Sequence, residues 1–199
     1  MTSQIWNVPN TLSMLRILLA IALFVLIAFE CFFPALGVFL VAAGTDFIDG
    51  WWARKFNQCT QLGRILDSFA DKILICGAFI MFAAHPRMNA HWELVQPWMA
   101  VLIVSRELLI TALRSFIEER GGNFAAKWPG KIKMGFQCVA CAAGCWYLAL
   151  ATKDASAVPP WLYWTLAVSL WITLVSTLQS GLSYIFHAIK MTQNLRENL

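Results

Sequence analysis

The chain has 199 residues, of which 59% are hydrophobic and only 13% charged, with a formal net charge of +4. Soluble domains run nearer half apolar and a quarter charged. A chain of this length cannot hide so much apolar surface from water, so an ordinary soluble domain is excluded and a bilayer is the fitting solvent. The length suits a single domain over 1–199. Residues 1–10 read as a short interfacial segment ahead of the first span. Met1–Pro9 carries neither the basic nor the apolar part of a cleaved signal, so the hydrophobic segments themselves are expected to direct insertion. Six apolar stretches follow, at Leu12–Phe32, Pro34–Phe56, Leu62–Ala84, Leu94–Glu118, Gly130–Ala151 and Trp161–Ile189. Each is long enough to cross a hydrocarbon core, which takes about 20 residues. The fourth and sixth are long and are expected to tilt or protrude. Asn10 suits a cap for the first helix, Pro34 the start of the second, and Pro159-Pro160 the turn before the sixth. Gly121-Gly122 suits the end of the fourth.

The predicted fold is an all-α integral membrane protein with six transmembrane helices, short loops and both termini cytoplasmic. The orientation comes from the basic residues. Arg16, Arg54, Lys55, Arg64, Arg120, Lys127, Lys131, Lys133, Lys190 and Arg196 gather at one side, against Arg87 and Lys153 at the other. Tryptophans at 6, 51, 52, 92, 98, 128, 161 and 164 lie near the proposed helix ends, where an aromatic belt would be. Short loops make sequential helices antiparallel neighbours. Cys31, Cys76, Cys138, Cys141 and Cys145 sit in apolar runs and read as small packing residues, with Cys59 in a loop. The Cys138-x-x-Cys141 spacing has no second ligand pair. His85, His91 and His187 have no partner pattern and read as structural.

Against this apolar background Asp46, Asp49, Asp67 and Asp71 stand out. Carboxylates near lipid are costly and are usually kept for function. Asp46 and Asp49 share one helix face, and Asp67 and Asp71 share one face of the next helix. The turn near Asn57–Gln61 puts Asp46 and Asp71 each roughly ten residues away, about 15 Å of helix. The two pairs are thus expected to face each other at similar depth. Four carboxylates so placed need protons or cations, and oxygen-only ligands select a hard cation such as Mg²⁺ or Mn²⁺. Two such ions commonly clamp a phosphoryl group. Gly50 and Ala53 leave room beside the site, and Arg54 is suited to phosphate oxygens. The bland alternative is that the aspartates pair with Arg54, Arg64, Lys72 or Arg106.

The pattern Asp46-x2-Asp49-Gly50-x2-Ala53-Arg54-x8-Gly63-x3-Asp67-x3-Asp71 resembles the signature of the CDP-alcohol phosphotransferase family at all eight of its positions. The resemblance implies six membrane helices, a homodimer, and transfer of a substituted phosphate from a CDP-linked donor to an alcohol with release of CMP. It also implies that Asp46, Asp49, Asp67 and Asp71 bind metal, with Asp71 also the general base. By the same resemblance Gly50, Ala53, Arg54, Thr60, Asn10 and Ser13 line the CDP-lipid site. Helix capping is the competing reading for Asn10 and Ser13, and an ordinary loop position for Thr60.

Further on, Ser105-Arg106-Glu107 opens the run SRELLITALR, and GKIK with Gln137 follows. Arg106, Arg114, Lys131 and Lys133 supply cations fit to hold a second phosphate, against a lipid-headgroup rim as the alternative. Arg120 and Lys127 read as rim. This half is similar to the branch of the family whose acceptor is sn-glycerol 3-phosphate and whose donor is CDP-diacylglycerol, although Met134 stands where that branch has threonine. The resemblance places the protein in a bacterial inner membrane with the active site facing the cytoplasm, among membrane lipids and without nucleic acid as a partner. Sister enzymes that use phosphatidylglycerol, inositol phosphate or serine as acceptor would carry the same aspartates. A divalent-cation transporter is the rival of another class, but neither the internal repeats nor the broken helices of transporters are legible. A catalytically idle scaffold is the third reading, and the full set of eight signature positions argues against it.

Overall fold

The computed structural model describes residues 8–56, 61–119 and 128–197. Among them are six long helices: α1 (Val8–Ala28), α2 (Phe32–Phe56), α3 (Gln61–Ala84), α5 (Pro97–Glu119), α6 (Trp128–Ala151) and α7 (Pro160–Glu197). A one-turn helix, α4 (Pro86–Asn89), and a 3-10 turn (Ala155–Ala157) lie in the connections. The expected helices are all present, with shifted ends. The expected turn at 57–60, Gly121-Gly122, Cys59 and Thr60 lie outside the described residues.

The first helix differs most from expectation. It starts at Val8, so Asn10 lies inside it and cannot be its N-cap. It stops at Ala28 because Glu30 adopts a left-handed conformation, with φ 58°. Two backbone bonds close that end: Cys31 N–H donates to the Leu26 carbonyl at 2.8 Å and Glu30 N–H to the Ile27 carbonyl at 3.0 Å. This is the Schellman arrangement, in which the left-handed position favours glycine. The Glu30 carboxylate gains little there, since it is 69% exposed and 4.0 Å from His85 Nε2. Glu30→Gly is therefore expected to stabilise the protein by about 1 kcal/mol, read as a raised midpoint of thermal unfolding in detergent. The fourth long helix begins at Pro97 rather than Leu94 because the Gln96 carbonyl takes the first helical bond, from Ala100 N–H at 3.3 Å, and proline suits the next position.

Helices α1 and α2, α3 and α5, and α6 and α7 pack as pairs of consecutive long helices. Contacts between non-consecutive helices join these pairs: α1 with α3, α2 with α6, and α5 with α7. The six helices thus form a closed ring in the order α1, α2, α6, α7, α5, α3, with α3 and α6 touching across it. Phe39, Phe79, Phe82, Leu23, Met99, Ile103 and Leu148 fill the core. Fully buried Ala20, Ala35, Ala42, Ala78 and Ala140 let the backbones come close. Two glycines take aromatic rings. A Cβ on Gly144 would lie 2.8 Å from the ring of Phe82, which is fully buried and cannot turn away. A Cβ on Gly77 would overlap the Phe24 ring more deeply, but that ring is only partly buried and can swing outward. Gly144→Ala is accordingly expected to cost about 1–3 kcal/mol and Gly77→Ala less, in the same unfolding measurement.

The outer surface is apolar. Met14, Leu18, Ile21 and Val25 form an exposed stripe on α1, and Trp161, Trp164, Val168, Val175, Leu178 and Leu182 one on α7. Exposed apolar faces of this extent mark a membrane or protein interface. Among the described residues, Asn10–Ala28, Lys133–Ala151 and Pro160–Leu182 are long and apolar enough to cross a membrane, and Phe32–Thr45 is a shorter apolar helix. At the end of the bundle that holds α4, polar side chains fasten loops. His85 Nδ1 accepts from Arg87 N–H at 3.3 Å, and the Arg87 guanidinium donates to the Ala151 carbonyl. Tyr163 donates to Glu93 at 2.9 Å and stacks edge-on with His91 at 5.9 Å. His85 and His91 are thus structural, as expected, whereas the side chain of His187 lies outside the described residues. Cys141 and Cys145 are fully buried packing residues.

Candidate active site

The buried face of α1 changes character along its length. Asn10, Ser13 and Arg16 lead into Ala20, Leu23 and Ile27, all nearly inaccessible and at helical spacing. Polar residues occupy the N-terminal end of this face, and apolar ones the rest. Helix α3 repeats the order, with Asp67 and Asp71 followed by Leu74 and Ala78. Helix α6 does the same, with buried Lys133 and Gln137 followed by Ala140 and Cys141. On α5, Arg106 and Glu107 stand near the middle of the helix, and on α7 Ser180 stands near the end of the apolar span Pro160–Leu182. Because helices successive in the chain run in opposite directions, these groups lie from mid-depth toward the end of the bundle opposite α4. Two clusters are described there.

Arg16 makes the first. Its side chain is 0% exposed, and Nη1 donates to Asp67 Oδ1 at 2.8 Å and to Asp71 Oδ1 at 2.6 Å. Asp67 and Asp71 are one turn apart on α3, so both carboxylates reach a single nitrogen from α1. The Asp67 and Asp71 side chains are 42% and 23% exposed, while the Arg16 side chain behind them is fully buried. This partner is a correction: Arg16 was not among the cations expected to pair with the aspartates. Its signal was present in the sequence, as an arginine within the first apolar run. Two carboxylates converge on one guanidinium nitrogen, and the ligand atoms they offer are oxygen only. That set fits a divalent hard cation. Lys72 donates to Ser68 at 2.9 Å.

Glu107 makes the second. Arg106 Nη1 donates to Glu107 Oε1 at 3.2 Å, and Lys133 from α6 donates to the same oxygen. Arg106 Nη2 also donates to Ser180 Oγ of α7 at 2.6 Å. The Lys133 and Arg106 side chains are only 5% and 11% exposed. Gln137, one turn along α6 from Lys133, lies beside the Glu107 carboxylate. Of the predicted phosphate-gripping cations, Arg106 and Lys133 are thus brought together, by an acid and a serine that sequence reasoning gave no role. The side chains of Arg114 and Lys131, and those of Asp46, Asp49, Gly50, Ala53 and Arg54, lie outside what is described, although all these positions are helical. Among the described residues no group of three or more His, Cys, Asp or Glu is close enough to hold a metal.

The sequence profile of the CDP-alcohol phosphatidyltransferase family matches residues 6–182. The chain belongs to that family. The matched span holds both clusters, and the CDP-alcohol phosphatidyltransferase identity makes the protein an enzyme of phosphatidyl transfer. The chain is 37% identical to the CDP-diacylglycerol–glycerol-3-phosphate 3-phosphatidyltransferase of Escherichia coli strain K12, over 71% of this chain and 78% of the relative. The proteins of that name from Shigella flexneri serotype 5b and Shigella sonnei match to the same extent.

Proposed function

We propose that this CDP-alcohol phosphatidyltransferase moves the phosphatidyl group of CDP-diacylglycerol to sn-glycerol 3-phosphate, giving phosphatidylglycerol phosphate and CMP. The observation that carries the reading is the pairing, toward one end of the bundle, of an oxygen-rich cluster with a nearly buried pair of cations. The names of the relatives support the choice of donor and acceptor.

In this mechanism Asp46, Asp49, Asp67 and Asp71 would hold Mg²⁺ or Mn²⁺, most simply two ions, and Arg16 keeps Asp67 and Asp71 convergent. When bound, the cations neutralise the donor diphosphate and the charge that develops on CMP. Asn10, Ser13, Gly50, Ala53, Arg54 and Thr60 line the donor site. Arg106 and Lys133, joined by Arg114 and Lys131, hold the acceptor phosphate. Asp71 takes the proton of the attacking hydroxyl. That oxygen bonds to the phosphorus bearing diacylglycerol, and the bond from this phosphorus to the bridging oxygen breaks. CMP leaves with the electron pair. Positioning and electrostatics supply most of the rate, as in other phosphoryl transfers.

The same reading sets all six long helices across a bacterial inner membrane as one domain, with residues 1–10 at the interface, both termini and the polar end cytoplasmic, and two copies forming a homodimer. The donor's acyl chains then stay in lipid while its head group enters from the polar end.

The test follows CMP release by purified protein from CDP-diacylglycerol with Mg²⁺ or Mn²⁺. Acceptors are sn-glycerol 3-phosphate, glycerol, serine, inositol phosphate and phosphatidylglycerol in turn. Release with glycerol 3-phosphate that stops on chelation supports the reading. Release with another acceptor overturns the acceptor site and leaves the donor half standing. Release undiminished by chelation removes the metal from the mechanism.

A further inference from the structure

A carboxylate inside a pocket that grips an anion opposes the binding it sits beside. Glu107 is such a group. Both cations converge on its Oε1, and the Gln137 side chain is the other polar group close to the carboxylate. Two donors in the same place are unmatched: Arg106 Nε and the side-chain nitrogen of Gln137 are buried without a hydrogen-bond partner. Gln137 as a whole is 3% exposed. Buried polar atoms left unpaired cost stability, and native structures keep few of them. The set comprises two donors and one charged acceptor, with two cations alongside. An inorganic anion would satisfy the donors but be repelled by Oε2. A neutral alcohol would satisfy Oε2 and leave the cations and donors unmatched. A molecule with a phosphate and a hydroxyl on the carbon next to the phosphate-bearing one satisfies all of them.

We propose that Glu107 is a specificity-determining residue, which accepts a hydrogen bond from the acceptor hydroxyl adjacent to the phosphate-bearing carbon. The inference rests on the proposed function and deepens it. In sn-glycerol 3-phosphate that hydroxyl is on C2, while the C1 hydroxyl attacks. The carboxylate fixes Arg106 and Lys133 through one oxygen and reads the middle of the acceptor with the other.

The probe is 3-hydroxypropyl phosphate, which keeps the phosphate and the terminal hydroxyl and lacks the middle one. A hydrogen bond to a buried charged group discriminates strongly against an analogue that lacks the hydroxyl. The unaltered enzyme is expected to prefer glycerol 3-phosphate in kcat/KM by at least about 30-fold. In Glu107→Gln the preference is expected to fall below about fivefold, through loss on glycerol 3-phosphate, with KM for CDP-diacylglycerol unchanged. A helix-pinning role alone would depress both acceptors equally and keep the ratio. If the glutamine variant does not fold, Glu107→Asp decides in the same way, with a preference between the two values expected. Three results overturn the assignment: no preference in the unaltered enzyme, a preference undiminished in the glutamine variant, or one undiminished in the aspartate variant. Failure of the unaltered enzyme to use either phosphate acceptor would overturn the proposed function, and this assignment with it.

Discussion

Asp71→Asn is expected to lower turnover by at least about 10³-fold while CDP-diacylglycerol binding stays measurable. Asparagine keeps the shape and one oxygen acceptor but cannot take a proton or carry negative charge. Loss of a general base alone costs typically 10²–10⁴-fold, and a weakened metal site adds to it. In the proposed donor site binding spreads over residues of α1 and α2 as well, so it is predicted to survive. The check is single-turnover CMP release beside equilibrium binding of a labelled donor. Near-normal turnover would take Asp71 out of the chemistry. Loss of donor binding with turnover would make it a binding residue.

Arg16→Met is expected to be nearly as damaging to turnover, with a different signature. Methionine fills much of the volume but leaves Asp67 and Asp71 facing each other without the guanidinium that now joins them at 2.8 and 2.6 Å. Breaking a fully buried pair costs about 3–5 kcal/mol. Here the carboxylates are partly open to water, so about 1–3 kcal/mol is expected. Turnover is expected to fall roughly 100-fold, because misplacement of reacting groups by about 1 Å already costs that much. Arg16→Lys separates the two effects. It restores charge, and with it most of the melting temperature. Its nitrogen ends short of the Nη1 position, so the carboxylates stay misplaced and turnover stays low. Full recovery of turnover by lysine would leave Arg16 only a charge-balancing role. Normal turnover in the methionine variant would exclude it from the site.

Much of this architecture was legible in the residues, for identifiable reasons. Long apolar runs declare helices, and the ends of α2, α3 and α6 came within a few residues because glycine, proline and charge clusters punctuate them. The end of α1 was missed because its terminator is Glu30, a residue type that gives no warning of a left-handed backbone. The aspartates announce themselves by their cost in an apolar setting. Their partner Arg16 did not, because it was weighed only as one more basic residue near a helix end. Glu107 was hidden by its neighbour: beside Arg106 it looks like local charge balance, and only the fold brings Lys133 onto the same oxygen. Pairings between α1 and α3, or α6 and α5, join residues far apart in the chain, and no local pattern encodes them.

The order in which the helices close the ring has a consequence for biosynthesis. Arg16, Asp67 and Asp71 all come from the first three helices, which pack on one another through α1. The Glu107 cluster draws on α5, α6 and α7. Chains emerge N-terminus first and fold in units as they do so. The carboxylate cluster can therefore assemble while the Glu107 cluster is still incomplete: α5 docks first, on α3, and α6, which touches both α2 and α3, then brings Lys133 to Glu107. A nascent chain stalled before α6 would hold a formed acidic cluster and an Arg106–Glu107 pair without Lys133, so on the proposed function transfer begins only once the last helices have joined the ring.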